Sequence, residues 1–146
     1  MPLTKFSVTP TVSTTPAYSA NDVIGGRLQF FGARRGRLYG VSVTDNAAQN
    51  VAYFLVLFDA IPTNITDNAT FDIADADLDN IIRIEDLNTT YRTAFTDNSI
   101  TIKDGLDVPL KSEETDGDLW AFLYSSGTPT YASTTDITVT LWIEIV

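Results

Sequence analysis

Ile137-Thr138-Val139-Thr140-Leu141-Trp142-Ile143-Glu144-Ile145 alternates without a break. Ile137, Val139, Leu141, Ile143 and Ile145 fall on one side, and Thr138, Thr140, Trp142 and Glu144 on the other. A period of two sends successive side chains to opposite faces, so this run predicts a strand with one face buried. Two further runs, Asn50 to Asp59 (NVAYFLVLFD) and Asp118 to Ser125 (DLWAFLYS), are apolar at both odd and even positions. They predict central strands covered on both faces.

Outward from these runs the same grammar repeats. Val23-Ile24 leads through Gly25-Gly26 into Arg27-Leu28-Gln29-Phe30-Phe31, where the glycine pair predicts a bulge. Leu38 to Thr44 places Tyr39, Val41 and Val43 on one face and Leu38, Gly40, Ser42 and Thr44 on the other. Ile82 and Ile84 resume strand spacing, and Tyr91 to Phe95, Ser99 to Lys103 and Leu106 to Leu110 are short strands. Asp104-Gly105 between the last two is a hairpin signal. DIADADLDNII, from Asp72 to Ile82, is a short helical or looped segment. With about eight short strands and no long amphipathic helix, the expected fold is all-β: an antiparallel β-sandwich, jelly-roll-like or another Greek key.

Residues 1–20 are rich in Thr and Pro and offer few core side chains, so they are expected to form an extended N-terminal arm, ordered against a partner or else disordered, before a β-sandwich domain over 21–146. The second apolar faces of the two central strands need a cover. A neighbouring subunit is favoured over the chain's own loops, notably 60–80.

Neither histidine nor cysteine occurs in the 146 residues. That removes imidazole and thiolate as base, nucleophile or soft-metal ligand, so the chain is expected to be no enzyme and to carry no cofactor. A hydrolase using two of the nineteen Asp and Glu residues survives only formally. No apolar run approaches the roughly 20 residues of a membrane span, and the start lacks the apolar core of a signal peptide, so a soluble, unprocessed chain is expected. The Asn-X-Thr sites at Asn64, Asn68 and Asn88 would matter only after secretion.

The net charge of −10 is unevenly placed. Lys5, Arg27, Arg34, Arg35 and Arg37 outnumber Asp22 and Asp45 in residues 1–58, so the remainder carries more than the whole net negative charge. Such polarity suits contacts between unlike regions of neighbouring subunits, while the acidic bulk repels nucleic acid. Asp75, Asp77, Asp79 and Asp86 echo the spacing of a calcium loop, but Asn80 stands where the sharp turn needs glycine and Asp86 is one carbon short. An acidic turn or helix start, with Asp75 capping free N–H groups, fits better. Trp142, Tyr131 and Tyr124 are aromatics that could stack on a sugar ring, or equally close a sheet edge or a subunit contact.

Several segments together resemble small structural proteins from the virions of tailed bacteriophages. They are the Thr/Pro arm leading into Ala17-Tyr18-Ser19-Ala20-Asn21-Asp22-Val23-Ile24-Gly25-Gly26, then Gly40-Val41-Ser42-Val43-Thr44-Asp45 and Leu55-Val56-Leu57-Phe58-Asp59-Ala60-Ile61-Pro62-Thr63. Asp67-Asn68-Ala69-Thr70-Phe71, Asp75-Ala76-Asp77 and Pro129-Thr130-Tyr131 complete the set. The resemblance implies a head decoration or cement protein: a β-sandwich on the capsid exterior, bound to the major capsid protein, homo-oligomeric as trimer or dimer, with no catalytic residues. The expected contacts are Lys5, Phe6 and Val8 in the arm, Arg34, Arg35 and Arg37 in the basic turn, and Trp142. A carbohydrate-binding or adhesion module of a tail or fibre is the alternative.

Overall fold

The alternating C-terminal run becomes the strand β10 (Ile137–Ile145), with Ile137, Val139, Leu141 and Ile143 fully buried. In the computed structural model, which describes residues 2–146, nine other strands precede it. They are β1 (Leu3–Val8), β2 (Val23–Phe30), β3 (Arg35–Asp45), β4 (Tyr53–Phe58), β5 (Ile81–Leu87), β6 (Arg92–Ala94), β7 (Ser99–Lys103), β8 (Val108–Lys111) and β9 (Leu119–Ser125). Two short 3-10 helices, Asp75–Asn80 and Thr89–Tyr91, flank β5.

The strands form two antiparallel sheets facing one another. One runs β1-β10-β3-β7-β6, with β8 also on β3; the other runs β2-β9-β4-β5. The pairs β1·β10, β2·β9, β3·β8 and β4·β5 nest inside one another along the chain, and the two antiparallel sheets make the expected β-sandwich. Between the sheets lies the main core, which includes Leu28, Phe30, Leu38, Val41, Val43, Leu55, Leu57, Leu123, Val139 and Leu141. Burying a Leu, Val or Phe side chain contributes roughly 1.5–3 kcal/mol, so this layer dominates the stability of the fold.

Both doubly apolar runs are central strands, β4 and β9, but the cover is not a neighbouring subunit. Val56 and Phe58 of β4, Trp120 and Phe122 of β9 and Val23 of β2 form a second core on the outer side of their sheet, roofed by Ile65, Phe71 and Ile73 from the chain's own connection between β4 and β5. Phe71 stacks on Tyr124 at 4.7 Å and leans on Phe122 at 5.8 Å. The connection is fastened to the β2 end by backbone bonds from Val23 N–H to Ala69 C=O, from Asn68 N–H to Val23 C=O and from Phe71 N–H to Asn21 C=O.

Residues 2–20 are likewise no free arm. β1 pairs along its whole length with β10, from Leu3 opposite Glu144 to Val8 opposite Val139. Val12 and Tyr18 are buried in the main core. The Asp67 carboxylate fixes this segment: it accepts hydrogen bonds from Ser13 Oγ, from Tyr18 Oη at 2.6 Å and from Gly25 N–H at 2.7 Å. Gly25, at φ +84°, sits in the expected bulge of β2, where the register slips between Ile24 and Leu28 and Pro10 leaves no room for a Cβ.

Two local expectations fail at one place. β3 takes an extra residue at Tyr39, because Trp142 pairs with Gly40 and Ile143 with Leu38. The slip reverses the face: Leu38 is buried with Val41 and Val43, and Tyr39 turns outward. Asp104-Gly105 closes no hairpin. β7 and β8 both lie along the same edge of β3, and Gly105, at φ +69°, lets the chain step past the bulge between them, with Leu106 N–H bonding Tyr39 C=O.

Candidate contact surface

The outer face of the β1-β10-β3-β7 sheet collects several of the expected contact residues. Lys5 lies directly opposite Trp142, Trp142 opposite Gly40, and Glu144 opposite Arg37, and directly opposed residues share a face. Leu3 at 45%, Tyr39 at 44% and Ile102 at 41% exposure gather round Trp142, with Asp104, to line a shallow depression of about 260 Å3. Further along, Ser7 Oγ and Thr140 Oγ1 are 2.8 Å apart, as are Thr9 Oγ1 and Thr138 Oγ1, forming a short hydroxyl ladder. The face is therefore apolar and aromatic at one end and hydroxylic at the other.

Arg35 and Arg37 are also exposed, alternating with buried Gly36 and Leu38. Arg37 is already paired with Asp107 of its own chain, which raises the guanidinium pKa and holds the Asp107 carboxyl below its usual value. Arg34 belongs to the turn before β3, exchanging backbone bonds with Gly117 C=O and Ser112 N–H at φ +38°. Arg35 and Arg37 border a second hollow, of about 440 Å3, with Lys111, Asp59 and Glu113. Burial raises the Asp59 carboxyl pKa, helped by the neighbouring charge of Glu113, and Asp59 Oδ1 is buried without a hydrogen-bond partner among the described residues.

Phe6 and Val8 do not belong to this surface. They point to the inner side of β1 and pack on the main core, so only Lys5 of that trio is presented outward. Of the aromatics considered for stacking, Tyr131 is buried, its Oη 3.0 Å from Tyr53 Oη, and Tyr124 is wedged between Phe54 and Phe71. Trp142 alone of the three joins an exposed apolar cluster.

The four calcium-loop aspartates do not converge. Asp75, Asp77 and Asp79 lie on the 3-10 helix and Asp86 on β5, and among the described residues no three acidic side chains are grouped to hold a metal ion. Asp75 is not the cap either; that position is Ala74, without a side-chain bond. Asp77 instead accepts the Thr63 N–H at 2.9 Å.

Asp77 exemplifies a pattern that sequence reasoning missed. Asp22 accepts from Ser19 N–H, Asp45 from Ala47 and Gln49 N–H, Asp118 from Gly32 N–H, and Asp136 from Ala132 and Ser133 N–H. Much of the acidic inventory thus organises connections by satisfying loop amides. A second missed feature is Glu85 on β5, fully buried between Arg83 and Lys103 of β7, with Oε2 at 3.0 Å from Lys103 Nζ. This triad closes the gap between the two sheets along one side.

Comparison with known protein families, with curated proteins and with solved structures found no match for the chain.

Proposed function

We propose that this is a non-enzymatic structural protein of a phage virion, of the head decoration or cement type, which docks on the major capsid protein through the outer face of its larger sheet. The observation that carries the proposal is the cluster on that sheet of exposed Leu3, Tyr39 and Ile102 around half-buried Trp142, with Lys5 beside it and Arg35 and Arg37 at its margin. Aromatic and arginine side chains dominate the energetics of protein interfaces, and a sheet presents them with little ordering cost. A single patch of this size is a weak contact. On a capsid the contact repeats, and an oligomer engaging several capsomers gains avidity without new chemistry.

Co-sedimentation with candidate capsids tests this. Trp142→Ala combined with Tyr39→Ala is expected to weaken binding at least about tenfold, the loss of one strong anchor. Unchanged binding by a folded double variant would sink the proposal. Truncating residues 1–16 is a poor test, because it removes β1 from the sheet and Val12 from the core.

A second reading, a carbohydrate-binding module, is favoured by one feature: Trp142 and Tyr39 share their depression with the Asp104 carboxylate. An apolar ring face beside a hydrogen-bonding acid suits a pyranose. Glycan binding lost in Trp142→Ala or Asp104→Asn would support it, and a blank glycan screen would remove it.

A further inference from the structure

Every β-sandwich has open edges, and this one has blunted all but one of them. β6 is only three residues long. β8 is four residues with Pro109 in its middle. β2 is interrupted by the Gly25-Gly26 bulge and bonded to residues 68–71. β5 bulges between its partners Leu57 and Phe58, carries Arg83, Glu85 and Asp86, and has its Asp86 carbonyl bonded by Lys103 Nζ at 3.3 Å. Short length, proline, bulges, charges and covering segments are the means by which sheet edges avoid further pairing.

β1 has only one of these, a single charge, Lys5. It runs six residues in unbroken register with β10 and contains no proline. Among the described residues, its backbone hydrogen bonds are all to β10. Its inward side chains Phe6 and Val8 are only half-buried, although they pack on the main core. The free side of β1 therefore offers unpaired backbone groups and two incompletely covered apolar side chains at the same place.

We propose that β1 joins two copies of this chain edge to edge, antiparallel, making one continuous sheet across a two-fold axis. Geometry restricts the register. Directly opposed residues must share a face, so inward Phe6 cannot oppose outward Lys5. Centring on Lys5 would set two ammonium groups against each other. Centring on Phe6 sets Phe6 against its symmetry mate, Thr4 against Val8 and Lys5 against Ser7 of the second copy. That register covers the half-buried apolar side chains and separates the charges. A six-residue ladder is small beside the roughly 1,200–2,000 Å2 of a standard stable interface, so the pairing is concentration-dependent. It is independent of what the outer sheet face binds.

The absence of cysteine from the sequence makes the test direct. Lys5→Cys and Ser7→Cys alter exposed side chains. Opposed residues of an antiparallel ladder have Cα atoms about 4.5–5.5 Å apart, within disulfide reach. With oxidised glutathione as oxidant, a mixture of the two variants is expected to form the mixed disulfide dimer, one chain of each variant, in excess over either disulfide homodimer. Light scattering of the unmodified chain is expected to show the mass rising towards two copies with concentration. A one-chain mass up to about 1 mM would overturn the proposal. So would cross-linking of Lys5→Cys chiefly with itself, or random cross-linking among the variants.

Discussion

Glu85→Ala is expected to be among the most damaging single substitutions outside the apolar core. The carboxylate is wholly inaccessible, while its partners Arg83 and Lys103 keep 43% and 20% of their side-chain surface exposed. Removing one member of a buried ion pair costs roughly 3–5 kcal/mol when the remaining charge is stranded. Here the stranding is partial. Arg83 can turn into water, and Lys103 retains the Asp86 carbonyl and the face of Tyr91, 5.2 Å away. That lowers the electrostatic cost, and the cavity left by the side chain adds to it, so we expect a loss of about 2–4 kcal/mol. For a domain of this size the melting temperature should fall by about 5–15 °C. Urea unfolding of wild type, Glu85→Ala, Lys103→Met and the double variant supplies the cycle. The double variant should lose less than the sum of the singles, because removing both charges leaves neither stranded. A loss below about 1 kcal/mol for Glu85→Ala, or strict additivity, would refute the idea that the triad ties the two sheets.

Three other outcomes follow from the packing. Phe71→Ala opens the roof over Phe122 and Tyr124 and, since Phe71 is only half-buried, should cost about 2 kcal/mol and raise binding of a hydrophobic dye; unchanged urea unfolding would contradict the second core. Gly36→Ala drives a methyl into the Glu144 carbonyl and the Ile143 side chain, and should lower stability by about 1–3 kcal/mol in the same assay. Burial works to raise the Asp118 pKa, but hydrogen bonds from Gly32 N–H and the Gln29 amide outweigh it and hold the pKa below the ordinary value. A carboxyl with a lowered native pKa contributes stability above its unfolded pKa and loses it as pH falls through the native one. Asp118→Asn should therefore be less stable than wild type near neutrality and converge with it in acid, as measured by urea unfolding at successive pH values.

The layer architecture was legible because β10 alternates cleanly and β4 and β9 are apolar on both faces; these patterns report burial, and burial is what a sandwich arranges. The sequence was mute on who does the burying. Nothing in Ile65, Phe71 and Ile73, spaced among turn residues, distinguishes a roof from an ordinary loop, since no period links them. Alternation groups Tyr39 with Val41 and Val43 because a bulge depends on the partner strands, and β7 and β8 break opposite it. Lys5, Arg37 and Trp142 were identifiable as surface side chains, but their meeting on one face required the register. The loop-binding aspartates and Glu85 were hidden in a surplus of acids, because a carboxylate's partner amide is fixed only in three dimensions.

The pairing of β1 with β10 also bears on the order of events during synthesis. The bond between Ser7 and Thr140 spans 133 positions. β1 therefore waits for β10 to be made, more than 130 positions later, before its own ladder exists, with Phe6 and Val8 uncovered meanwhile. Closing such distant contacts is slow, on the order of milliseconds to seconds for β-rich topologies. The nascent chain thus carries β1 unpaired until β10 has emerged, and conditions that slow elongation between the two should raise its aggregation more than conditions that slow only the folding of the finished chain.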